Sequence, residues 1–98
     1  MAVKKIDIII PAYKAHNVLG RCLASIAMQV NVDQIQVTVV NDHCPMGSYK
    51  DIIECYQPMI DINELILPEN SGPGVAKQFG IDNTECPYLM FLDADDTI

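Results

Sequence analysis

The sequence predicts an α/β domain built on one parallel β-sheet in βαβαβαβ order. Three observations predict it. Four short runs rich in apolar and β-branched residues alternate with three stretches of helical spacing. The runs are nearly continuous in apolar character, as in strands covered on both faces. Each run closes on a polar or turn-forming segment: Pro11-Ala12-Tyr13, Asn41-Asp42-His43-Cys44, Asn70-Ser71-Gly72 and Asp93-Ala94-Asp95-Asp96. Parallel sheets with right-handed crossovers bind ligands at the carboxyl ends of their strands. With strand order 3-2-1-4, Asp42 and the last carboxylates can share a crevice on that rim.

The elements follow in turn. Ile6 to Ile10 is a β-branched run broken only by Asp7 and bounded by Pro11, the first strand. From about Asn17 to Gln29, Leu19, Leu23, Ile26 and Ala27 recur at helical spacing, with Asn17 placed to cap. Ile35 to Val40 is the second strand, and Ser48 caps a helix reaching about Tyr56. Ile62 to Leu67 is the third strand, followed by the loop Pro68 to Gly74. Pro73 opens a helix to about Asp82, where a missing amide costs no intrahelical bond. Tyr88 to Leu92 is the fourth strand.

With 98 residues, half of them apolar, the chain is at most one domain with a modest core. A formal charge of −7 argues against nucleic acid or an anionic membrane surface as partner, since both need a basic footprint. Any anionic ligand must bring a cation. The opening Met1-Ala2-Val3-Lys4-Lys5 is basic, but the apolar run behind it is too short for a signal or transmembrane segment, so a cytoplasmic chain is expected. Cys22, Cys44, Cys55 and Cys86 form no Cys-x-x-Cys pair and read as reduced thiols, with Cys22 and Cys55 packed inside helices. His16 and His43 read as solvent-exposed loop residues.

The richest chemistry lies at the end of the fourth strand. Adjacent carboxylates repel and lose hydration unless a cation or hydrogen-bond donors compensate them. Mg²⁺ and Mn²⁺ take oxygen ligands, typically one or two carboxylates together with substrate phosphates. In an extended segment, positions i and i+2 point the same way, so Asp93 and Asp95 can face one ion while Ala94 points away. The competing reading is a solvated turn that caps a following helix.

The runs Ile8-Ile9-Ile10-Pro11-Ala12-Tyr13, Val39-Val40-Asn41-Asp42, Glu69-Asn70-Ser71-Gly72 with Ala76-Lys77, and Phe91-Leu92-Asp93-Ala94-Asp95-Asp96 resemble, in order and spacing, the opening half of family 2 glycosyltransferases. The resemblance covers essentially the whole chain. It implies a Rossmann-like, truncated A-type glycosyltransferase fold, with residues 1–98 forming a single partial donor-binding domain that ends at the Asp-x-Asp motif. The parent activity it implies is an inverting, metal-dependent transfer of sugar from a nucleoside diphosphate sugar, with UDP the family's commonest nucleotide. It places Pro11, Ala12 and Tyr13 at the base and ribose, Asp42 on the base edge, and Gly72 and Lys77 among the donor contacts. Asp93 faces ribose and metal, and Asp95 binds the Mn²⁺ or Mg²⁺ that bridges the diphosphate. Asp96 accompanies such motifs or caps the next helix.

The chain departs from the family pattern at several positions. Lys77 and Gln78 stand where arginine and asparagine are usual, so the planar guanidinium fork is lost. His43-Cys44-Pro45 replaces a Gly-Ser-Thr turn, and Lys14 stands where asparagine is common. The family's general base lies beyond the carboxylate motif, so none of these residues is assigned a catalytic role, and no sugar transfer by the 98 residues alone is expected. The apolar strand 88–92 at the sheet edge is expected to self-associate. Two alternatives stand beside this reading. One is a haloacid dehalogenase-like phosphohydrolase with Asp93 as nucleophile, although that family opens its core with this strand. The other is a non-catalytic α/β interaction domain.

Overall fold

A computed structural model describes residues 4–98; residues 1–3 of the basic opening lie outside the described part. The elements are β1 (Ile6–Ala12), α1 (Leu19–Ala27), a 3-10 turn (Val32–Gln34), β2 (Ile35–Asn41), α2 (Lys50–Tyr56), β3 (Asp61–Ile66), α3 (Pro73–Asp82) and β4 (Tyr88–Phe91). All strand pairs are parallel, and the order is β3-β2-β1-β4, as expected.

β1 is central, and Ile8, Ile9 and Ile10 are buried on both faces. Ile8 and Ile10 join Val37, Val39, Leu19, Leu23 and Ile26 in the larger core under α1 and α2. Ile9, Val40, Leu67 and Ala76 form the smaller core under α3. That second layer is thin because α3 lies close to the sheet. A Cβ on Gly80 would fall 2.6 Å from Cγ2 of Ile9. The polar break at Asp7 is a buried carboxylate that accepts bonds from Gln36 Nε2 at 2.9 Å and Thr38 Oγ1 at 2.9 Å.

β1 runs through Pro11, two residues past the expected end. Ile9 accepts from the Leu92 amide on the β4 side, so by strand alternation Pro11 turns its missing donor toward β4. Pairing with β4 has already stopped at Ile9↔Phe91, and nothing is lost there.

Four expectations are corrected. Asn17 does not cap α1: the cap position is Val18, and the amides of Val18 and Leu19 both donate to the Ala15 carbonyl in a preceding turn. Ser48 lies one residue before the cap Tyr49, yet its Oγ accepts the Lys50 amide at 3.0 Å. Cys55 is exposed rather than packed, because it lies on the outer face of the short α2. His16 is half-buried, stacked on Tyr49 with centroids 4.2 Å apart. β4 is exposed at all four residues, and no strand among the described residues pairs with its outer side.

Candidate functional site

The carboxyl ends of β1 and β4 frame an open cleft of about 390 Å³. Pro11, Tyr13 and Lys14 form one wall, and Asp93 and Asp95 form the other. Ala12 stands behind the wall with its side chain in the core, and its carbonyl accepts the Asp42 amide at 2.9 Å. Asp42, Gly72 and Lys77 do not line this cleft.

Asp93 and Asp95 leave β4 through a turn rather than an extended continuation. The Asp96 amide donates to the Asp93 carbonyl at 2.9 Å, which folds the segment back. The turn adds Asp96 to the group, and one carboxylate oxygen from each of Asp93, Asp95 and Asp96 lies within 4.8 Å of the others. Ala94 points into the core, which leaves the acids on the solvent side. Three hard, exposed oxygen donors at this separation are the donor chemistry that Mg²⁺ or Mn²⁺ takes. Beneath them Cys22 is fully buried and its Sγ lies 3.8 Å from the Asp93 carbonyl. Burial, together with the charges of Asp96 and Asp95, pushes this thiol up to about 11, so it is neutral at ordinary pH.

Asp42 is buried at the tip of β2 and ties two rim loops together. Its Oδ1 accepts the Ser71 amide at 2.8 Å, and Oδ2 accepts the Gly72 amide at 2.9 Å. Asn70 Nδ2 donates to the Asp42 carbonyl at 3.1 Å. Gly72, at φ +91, presents its amide to this carboxylate and opens α3 beside it. Asn70 Nδ2 also donates to Asp42 Oδ2 at 3.5 Å, and since a carboxylate has about four lone-pair positions, Asp42 retains one beyond these three contacts. Lys77 lies on α3 with Nζ 5.7 Å from the Phe91 ring centroid, a cation–π distance on the far side of β4.

Among the described residues, both non-glycine positions with positive φ sit on this rim, Lys14 at +49 and His43 at +52. Each has a compensating bond. The Lys14 amide donates to Cys44 Sγ at 3.3 Å, and His43 Nδ1 donates to the Leu67 carbonyl at 3.2 Å. Burial opposes ionisation of Cys44, but the Met46 and Lys14 amides, the Tyr49 hydroxyl and the Lys14 charge outweigh it and bring the thiol below its ordinary value.

Sequence reasoning missed two residues that support the β2 rim. Asn41 is buried, accepts the Cys44 amide at 2.8 Å and donates to Glu64 Oε2 at 3.0 Å. Glu64 also accepts the Tyr49 amide at 3.0 Å and a short bond from the Ser48 hydroxyl. The signal was a polar residue at the end of an apolar strand facing an acid inside the next strand.

Comparison with known proteins bears on the fold and the family. The profile of the family described as Glycosyl transferase family 2 matches residues 7–98. A teichoic acid poly(glycerol phosphate) polymerase from Staphylococcus epidermidis is 35% identical over 99 residues, covering 98% of this chain and 13% of that protein. The chain therefore spans a small part of such relatives. The crystal structure of Staphylococcus aureus TarS 1-349 in complex with UDP-GlcNAc superimposes with a TM-score of 0.87 at 28% identity, over 96% of this chain and 27% of that crystallised chain. A mannosyltransferase from Pyrobaculum calidifontis, solved in complex with GDP-Man and Mn²⁺, shares the fold at a TM-score of 0.84 and 18% identity, over 99% of this chain and 30% of that one. The sheet order, the carboxylate turn on its rim and a family match over nearly all the described residues lead to one assignment: the chain belongs to glycosyl transferase family 2.

Proposed function

We propose that the chain is the donor-binding portion of an inverting, metal-dependent glycosyltransferase that takes a nucleoside diphosphate sugar, with UDP as the nucleotide. The observation that carries the reading is the cleft in which Pro11 and Tyr13 face Asp93 and Asp95. Tyr13, 44% exposed, offers an aromatic face for a base or ribose. Ala12 and Pro11 fix the backbone beneath it. Asp42 holds the loop that opens α3 and has acceptor capacity left for a base edge. Gly72 supports the donor pocket through that same bond, and Lys77 supplies a positive charge on α3. Asp95 and Asp93 would hold Mn²⁺ or Mg²⁺, which when bound neutralises the charge that develops on a departing nucleoside diphosphate.

The residues assigned here bind and orient a donor, and none is a general base for an acceptor hydroxyl. Sugar transfer by the 98 residues alone is therefore expected to be negligible. Four free cysteines fit a reducing compartment such as the cytoplasm. Among the described residues, no helix is long and apolar enough to cross a membrane. The phosphohydrolase alternative needs the Asp93 strand to open the core domain, whereas three β-α units precede β4, which pairs beside β1.

The test is thermal denaturation with a panel of nucleoside diphosphates, with and without Mn²⁺. Ligand at a hundredfold excess over its Kd adds ~2.7 kcal/mol, on the order of 10 °C for a domain of this size. Selective, Mn²⁺-dependent stabilisation by UDP is expected, with loss of the Mn²⁺ dependence in Asp95→Ala and no change in its circular dichroism. Equal response to every nucleotide, or no response, would sink the reading.

A further inference from the structure

The carboxylate turn is held from one side by a single helix. On α1, Arg21 Nη2 donates to the Asp95 carbonyl at 3.2 Å, and Cys22 Sγ approaches the Asp93 carbonyl at 3.8 Å. A turn further along, Ser25 Oγ accepts the Ile98 amide at 3.2 Å. Positions 21, 22 and 25 share one edge of the helix, and their partners lie 71 to 74 residues further along the chain. Every one of these bonds goes to main-chain atoms. The carboxylate oxygens of Asp93, Asp95 and Asp96 are left to the solvent side, and among the described residues none of them forms a salt bridge.

The arrangement is unusual for an arginine beside three acids. A guanidinium pairs readily with a carboxylate in a bidentate fork, which would occupy the oxygens that a cation needs. Arg21 bonds the carbonyl instead. We infer that Arg21 is a positioning residue for the cation site, fixing the backbone of the Asp93–Asp96 turn so that its carboxylates are spaced for a divalent ion before the ion arrives. The inference rests on the reading of Asp93 and Asp95 as cation ligands. Cys22 is the second point of the same clamp.

The sign of one substitution separates this role from simple charge. If Arg21 acted only through its positive charge, its removal would relieve repulsion and strengthen cation binding. If it positions the turn, its removal weakens binding, and loss of such outer-shell support typically costs about tenfold or more in metal affinity. The experiment is Mn²⁺ titration of the 98-residue chain followed by electron paramagnetic resonance of free Mn²⁺, in wild type, Arg21→Ala, Arg21→Lys and Asp95→Ala. Arg21 is exposed, so thermal midpoints without metal should stay close to wild type. Affinity about tenfold weaker in Arg21→Ala, largely recovered in Arg21→Lys, is the expected result. Binding by Arg21→Ala as tight as or tighter than wild type, or a Lys variant as weak as the Ala variant, overturns the positioning role alone. A wild-type chain that takes up no Mn²⁺, or an Asp95→Ala variant that binds like wild type, overturns the cation-site reading and this inference with it.

Discussion

Tyr49 shows how a single side chain joins two loops of the rim. Its ring is fully buried under His16, and its hydroxyl accepts the Ala15 amide at 3.2 Å. Burial, with the charges of Cys44 and Glu64 nearby, pushes its phenol up to about 12 from an ordinary 10. Because the folded value is the higher, Tyr49 supports the fold fully below pH 10 and loses that support as pH rises toward about 12. Alkaline titration of tyrosinate absorbance should show one of the four tyrosines ionising late, and Tyr49→Phe should remove that phase and flatten the fall in urea midpoint over the same range. A wild-type titration with all four tyrosines ionising together would refute the shift. Lys14 and His43 carry a different lesson. Left-handed backbone costs about 1–2 kcal/mol for a residue with a Cβ, and the asparagine and glycine common at these two places in the family would bear it more easily. Here the Cys44 and Leu67 bonds offset the strain, a substitution of contacts for permissive residues.

Among the elements, α3 depends most on a single position. A methyl group at Gly80 would meet the β-branched carbon of Ile9, which is fully buried and has no room to turn. Alanine gains about 1 kcal/mol of helix propensity over glycine, but overpacking of a tight contact costs about 1–3 kcal/mol. Gly80→Ala should therefore destabilise, by up to about 2 kcal/mol in urea unfolding, and the penalty should shrink in an Ile9→Ala background. A neutral or stabilising Gly80→Ala would show that α3 can lift off the sheet freely. The order of elements was legible in the sequence because apolar runs and turn residues alternate without ambiguity, and the expected strand order 3-2-1-4 matches the observed one. The ends were less so, since Asn17 had the right chemistry for a cap while the Ala15 carbonyl had already taken the Val18 and Leu19 amides. The rim residues were legible by type and position. Their orientation was not: the spacing of Asp93 and Asp95 suggests an extended pair, but the turn closed by the Asp96 amide gathers three acids instead. Likewise nothing in Asp42 itself reveals that its oxygens are shared with Ser71 and Gly72, because that contact depends on where α3 begins.

For the whole molecule, among the described residues both flanks of the sheet are edges, but they differ in character. β3 has only one neighbour but exposes few large apolar residues, whereas β4 leaves Tyr88, Leu89, Met90 and Phe91 exposed beside unpaired backbone. Concentration-dependent self-association through β4 is expected, and Met90→Lys should suppress it by placing a charge on that strand. Sedimentation that reports a monomer for the unmodified chain over a wide concentration range would refute this. The pairing of β4 with β1 has one more consequence. β1 finds β2 early in the chain, yet its other flank waits for residues 88–91, so the cleft between Tyr13 and Asp95 assembles after the pairing of β1 with β2. During synthesis on a ribosome, the proposed ligand rim would thus come into being only once β4 has emerged, and a donor would meet either both walls of the cleft or neither.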